Sequence, residues 1–130
     1  MTGNRFLLDT NIVSALLKGE AIIADNIDNA ETTYIPIIVV GELYYGASFS
    51  SQVEKNTADL KKITSRYQLL SLDEETTTVY GNIKTALRRK GKPIPENDIW
   101  IAAIAVQHDL PLVTRDNHFK EIEGLSIVTW

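Results

Sequence analysis

Short aliphatic runs alternate with segments of helical periodicity along this chain, and that alternation is the strongest constraint on its fold. Arg5 to Leu8 reads as a strand ending at Asp9. Asn11 is placed to cap a helix carrying Ile12, Val13, Leu16 and Leu17, which Gly19 ends or bends. Ile22, Ile23 and Ile27 suggest a second short helix. Thr33 to Ile35 reads as a strand stopped by Pro36. Val39, Val40, Leu43, Tyr44 and Ala47 then recur at helical spacing, with Glu42 among them. A longer helix opens at Ser50 and Ser51, with Val53, Leu60, Ile63 and Tyr67 on one side, and Gln68 to Leu72 gives a third strand. Val79, Tyr80, Ile83, Ala86 and Leu87 form a helical stripe. It ends in the basic run Arg88 to Lys92, and Pro93 and Pro95 mark a connector. Asp98 opens the run Ile99 to Val106, apolar nearly all round, which predicts a buried helix. Leu112 and Val113 read as a strand, Thr114 to His118 as a polar loop, and Leu125, Ile127 and Val128 as a last strand. Strands alternating with helices predict an α/β layered domain with a mainly parallel sheet.

The 130 residues show no repeat, linker or low-complexity segment and fit one domain, 1–130. A chain of this length buries roughly two-thirds of its unfolded surface, enough for a core without staples. A hydrophobic content of 44% argues against disorder. The absence of cysteine excludes a disulfide framework, zinc–thiolate sites and thiol catalysis. It is compatible with a reducing cytoplasm. The apolar run near the N-terminus is too short for a signal peptide, and Ile99 to Val106 is too short to span a bilayer. The expectation is a cytoplasmic protein without a membrane. A net charge of −4 argues against a general nucleic-acid coat, but not against acids gathered around a divalent cation.

In an open α/β sheet, ligands gather outside the carboxyl ends of the strands. Asp9 directly follows the first strand, and Asp116 follows Leu112–Val113 by three residues. Glu42 lies near the start of the helix after the second strand, and Asp98 starts the buried helix. Topology thus allows four sequence-distant acids to converge on one edge. Clustered carboxylates raise one another's pKa and persist mainly where a cation offsets the repulsion. Oxygen donors without Cys or His point to Mg²⁺, or Mn²⁺ as a substitute, rather than Zn²⁺. Such an ion suits in-line hydrolysis of a phosphodiester by water. Each acid also has an ordinary reading. Asp9 and Asp98 can cap helices, Glu42 can face solvent and Asp116 can sit in a turn.

The words around the acids are more specific. LLDTNI, VVGELYYGA, NDIWIAAIA and LVTRDNHF, in that order, together with the closing FKEIEGLSIV, resemble the PIN domain, in particular the VapC-type toxins of toxin–antitoxin pairs. The resemblance runs from Phe6 to the terminal strand. It implies a three-layer α/β/α PIN-like fold, a metal-dependent endoribonuclease, a homodimer and a small VapB-type antitoxin that blocks the site. Position by position, it places metal-binding acids at Asp9, Glu42, Asp98 and Asp116, with Asp9 and Asp98 as the principal ligands. Thr10, Asn11 and Thr114 match supporting polar positions. The alternative is a catalytically silent regulator that uses the same fold to bind RNA or a partner protein. An aspartyl-phosphate phosphatase typically shows DxDxT after its first strand. Here the sequence is Asp9-Thr10-Asn11-Ile12-Val13, without the second acid. A phosphoacceptor receiver domain would need a paired acid near the N-terminus and a different order of site residues.

Among the remaining features, Arg115 is a candidate for phosphate binding because it adjoins Asp116. The basic run Arg88 to Lys92 reads first as cations complementing a helix C-terminus. His108 and His118, far from each other, do not read as metal ligands in this hard-ligand setting. Trp100 reads as core or subunit interface. Of Tyr44 and Tyr45, which face different directions on a helix, one is expected to be packed and the other available for a contact.

Overall fold

Five parallel strands form one sheet in the computed structural model, which describes residues 4–130. The order in chain sequence is β1 (Arg5–Leu8), α1 (Thr10–Leu17), α2 (Ala21–Asn29), β2 (Thr32–Pro36), α3 (Ile37–Ser48), α4 (Val53–Arg66), β3 (Gln68–Leu70), α5 (Glu74–Lys90), α6 (Glu96–Gln107), β4 (Leu112–Val113) and β5 (Ile127–Val128). A 3₁₀ turn, Asn117–Glu121, lies between β4 and β5. Within the sheet the strands run β3-β2-β1-β4-β5. From the central β1 the chain builds outward through β2 to β3, then returns to add β4 and β5 on the other side. The switch point of this order lies between β1 and β4, where an open α/β sheet leaves a crevice at its carboxyl edge.

Successive strand residues point to opposite faces. Leu7 and Leu8 are both 0% exposed, as are Leu112 and Val113, so both faces of the central sheet are covered. The architecture is three-layered, α/β/α, as the PIN-like expectation required. In α6, Ile99, Ile101, Ala102, Ala103, Ile104 and Ala105 are all buried. The small alanines let neighbouring elements approach from several sides, so a helix without an apolar stripe sits in the core.

Several local expectations need correction. Asn11 does not cap α1; Asp9 holds the N-cap position and its Oδ1 accepts from the Thr10 N–H at 2.8 Å. Asp98 is not a cap either. Pro95 takes that position in α6, which leaves the Asp98 carboxylate in the first turn free for other contacts. Helix α4 begins at Val53 rather than Ser50, because the Ser50 hydroxyl donates to the Ala47 carbonyl at the end of α3. Strand β3 stops at Leu70, and Leu72 is exposed. Asp73 and Thr76 form a reciprocal capping box that starts α5. At its other end Gly91 adopts φ 71°, a left-handed turn that suits glycine. The polar loop Thr114 to His118 runs into a buried anchor at the next residue. Phe119, 0% exposed, pins the 3₁₀ turn into the core and thereby fixes the neighbouring His118.

Candidate metal centre

The carboxyl ends of β1 and β4 lie side by side, since Leu8 pairs with Val113 and the Asp9 N–H donates to the Val113 carbonyl. Asp9 thus emerges beside Thr114, a residue 105 positions away. The Thr114 hydroxyl donates to Asp9 Oδ2 at 2.7 Å and accepts from the Asp116 N–H at 3.0 Å. One hydroxyl therefore ties two of the four acids together. Thr10, at the first turn of α1, donates from Oγ1 to Glu42 Oε1 at 2.9 Å. Asn11 accepts weakly from the Arg115 N–H at 3.4 Å. The three residues expected to support the site, Thr10, Asn11 and Thr114, each contact that edge.

Asp9, Glu42, Asp98 and Asp116 line one cleft of about 480 Å³, together with Thr10, Asn97 and His118. They differ in setting. Asp9 is 1% exposed. The Asp98 side chain is 14% exposed and that of Asp116 48%. Burial pushes the Asp9 carboxyl up to about 6, against the opposing hydrogen bonds from Thr114 and the Thr10 backbone; Asp98 and Asp116 add repulsion. Burial also raises Glu42, opposed by the hydrogen bond from Thr10, and raises Asp98, opposed by His118. The site is an arrangement in which negative charge is costly unless something positive enters.

His118 is the residue that sequence reasoning set aside. Its Nε2 lies 2.5 Å from Asp98 Oδ2 and 4.0 Å from Asp116 Oδ2. Asp98, Asp116 and His118 each offer a ligand atom, all within 4.8 Å of one another. The available signal was Phe119: an apolar residue in a polar loop anchors it and fixes the residue before it. His108, by contrast, ends α6 and does not line the cleft.

A PIN domain model matches residues 6–125 of the chain. The chain belongs to the PIN domain family. This PIN domain is 36% identical over 129 residues to "Ribonuclease VapC2" of Haemophilus influenzae, covering 97% of this chain and 98% of the relative. It is 32% identical to the "tRNA(fMet)-specific endonuclease VapC" of Shigella flexneri, with the same coverage of 97% and 98%. A chain in the crystal structure of VapBC2 from Rickettsia felis bound to a promoter DNA fragment superposes with a TM-score of 0.91. It is 32% identical, over 97% of this chain and 98% of that one. The VapC-type branch is therefore the one to which this PIN domain is similar over nearly its whole length.

The remaining candidates fall away from the acid cleft. The run Arg88 to Lys92 closes α5, and Lys90 Nζ donates to the Glu121 carbonyl at 2.6 Å. Arg89 and Lys90 line a different cavity, with Ile83, Leu87 and Glu121. Trp100 is half-buried and stacks on Tyr80, with centroids 3.7 Å apart and planes 12° from parallel. Tyr44 packs against the core and Tyr45 is exposed beside Phe49. Among the described residues of this PIN domain, no helix is long and apolar enough to cross a membrane.

Proposed function

We propose that this PIN domain is a Mg²⁺-dependent endoribonuclease, the toxin of a toxin–antitoxin pair, acting through Asp9, Glu42, Asp98 and Asp116. The observation that carries the reading is the meeting of these four acids in one cleft from four sequence-distant elements. The chain's relatives, a ribonuclease in Haemophilus influenzae and a transfer-RNA endonuclease in Shigella flexneri, support RNA as substrate. The VapBC assemblies support a small VapB-type antitoxin as partner. The proposal extends to a single domain spanning 1–130, a homodimer and action in the cytoplasm, where RNA is met and a cysteine-free chain loses nothing to reduction.

The donor set fits a hard divalent cation. Carboxylate oxygens dominate it, and the one imidazole nitrogen at the cleft, His118 Nε2, is engaged with Asp98. Asp9 and Asp98 would be the principal ligands, with Glu42 and Asp116 completing the site; Mn²⁺ would substitute. When bound, the ion supplies positive charge that favours an attacking water and steadies the leaving oxygen. The protein's own part is positional. Thr114 and the Thr10 N–H fix both oxygens of Asp9, Thr10 Oγ1 holds Glu42, and His118 holds Asp98. The attacking water gives its proton to solvent as its oxygen forms a bond to phosphorus. The bond from phosphorus to the ribose oxygen breaks, and that oxygen leaves with a proton from solvent.

Purified protein incubated with RNA in Mg²⁺ and then in excess EDTA tests the reading. Cleavage that EDTA abolishes is the expected result. Binding without cleavage in either condition would favour the silent regulator.

A further inference from the structure

Beside the acid cleft lies a second cavity of about 490 Å³, which shares Thr10 and Asp116 with it and adds Lys18, Glu20 and Arg115. The Arg115 guanidinium is held in a fork. Nη2 reaches Glu20 Oε1 at 3.0 Å, Nη1 reaches Glu20 Oε2 at 3.4 Å, and Nε donates to the Trp130 carbonyl at 3.4 Å. The hydrogen bond from Arg115 holds the Glu20 carboxyl below its usual range. Lys18 is exposed and makes no ion pair among the described residues. The cavity therefore carries two cations, Lys18 and Arg115, and two anions, Glu20 and the Asp116 it shares with the acid cleft. A carboxylate bound through both oxygens occupies the same fork that a phosphate would, because arginine presents its N–H groups to either in the same planar geometry.

We propose that this cavity binds the phosphate of the nucleotide adjoining the scissile bond, with Arg115 and Lys18 as its cations and Glu20 as an internal competitor that the RNA displaces. The inference rests on the endoribonuclease reading and adds to it a second, non-reacting phosphate site. A phosphodiester replacing Glu20 at the guanidinium leaves that pair neutral, and Lys18, which makes no ion pair among the described residues, offers it a second cation. The same cations offset the repulsion that the acid cleft alone would exert on a polyanion. The site takes a phosphodiester by its charge and fork geometry and gives register rather than base specificity.

The test combines kinetics with direct binding. For a single-stranded oligoribonucleotide in Mg²⁺, Lys18→Ala and Arg115→Ala are each expected to raise KM about 5-fold with kcat little changed. The slope of log KM against log salt should fall by about 0.7 for each cation removed. A dinucleoside monophosphate, which has only the scissile phosphate, should be cleaved equally by wild type and both variants. Glu20→Gln should lower KM for the oligomer, the opposite sign from a merely structural loss of the ion pair. Unchanged KM and salt slope in Lys18→Ala and Arg115→Ala, or a raised KM in Glu20→Gln, would overturn the proposal. If wild type does not cleave at all, the endoribonuclease reading fails by itself. Fluorescence anisotropy of the labelled oligomer still reads the cavity: about 5-fold weaker binding in Lys18→Ala supports it, and equal binding refutes it.

Discussion

Replacing Asp9 by asparagine should make the metal-free protein more stable at neutral pH while removing its chemistry. Asp9 is 1% exposed, and its carboxyl is raised from 3.8 to about 6 by burial. A folded-state pKa above the unfolded one means that the native chain holds this proton more tightly. The associated stability is fully present below about 3.8 and is lost as pH rises through about 6. The whole difference corresponds to about 3 kcal/mol of folding free energy given up above pH 6. Roughly 1 kcal/mol of it is already lost at about pH 4.5, so about 2 kcal/mol separates that pH from about pH 8. Asparagine carries no charge and keeps one contact while reversing the other, a cost for the Thr114 O–H that is the same at every pH. Its oxygen accepts from the Thr10 N–H, and its amide donates to the Thr114 hydroxyl. In EDTA, thermal unfolding of Asp9→Asn against wild type should therefore diverge with pH, the variant gaining roughly 6–10 °C more at pH 8 than at pH 4.5. Adding Mg²⁺ at pH 8 should raise the wild-type Tm and leave the variant nearly unmoved. A Tm difference independent of pH would refute the reasoning, since the charge on Asp9, with its repulsion of Asp98 and Asp116, is what distinguishes the two proteins along that axis.

Thr114→Val removes the hydroxyl that joins Asp9 to the Asp116 backbone. Because that hydrogen bond lowers the Asp9 pKa, its loss should move the acid limb of the pH–activity profile to higher pH and cost about 1–3 kcal/mol in urea unfolding. His118→Ala leaves Asp98 without its partner. The Mg²⁺ concentration for half-maximal activity should rise about 10-fold, which a metal titration would read. Ile104→Ala, in the middle of the buried α6, should cost about 2–5 kcal/mol in chemical unfolding through the cavity it leaves.

The α/β layers were legible because strand and helix have different periods, and both show at this chain length. The run Ile99 to Val106 announced its burial by having no polar side. The ends of elements were less legible. Asn11 and Asp98 have good capping chemistry, yet Asp9 and Pro95 take the two cap positions. For Asp9 the ordinary reading and the functional one turned out to be compatible. One oxygen accepts from the Thr10 N–H while the other meets Thr114, so capping orients the carboxylate. Periodicity says nothing about pairs such as Thr114 with Asp9 or Glu20 with Arg115, because strand order, not local sequence, brings them together. His118 was lost for the same reason. Its partner Asp98 lies 20 residues earlier on another element, and the ring reaches the cleft beside the buried Phe119.

The most direct measurement is the rate of RNA cleavage by wild type, Asp9→Asn and Asp98→Asn in Mg²⁺, with circular dichroism confirming that all three are folded. A metal-dependent endoribonuclease built on these acids requires EDTA-sensitive cleavage by wild type and a loss of at least about 100-fold in each variant. Cleavage by folded Asp9→Asn at the wild-type rate would contradict the assignment of this cleft as the catalytic metal centre.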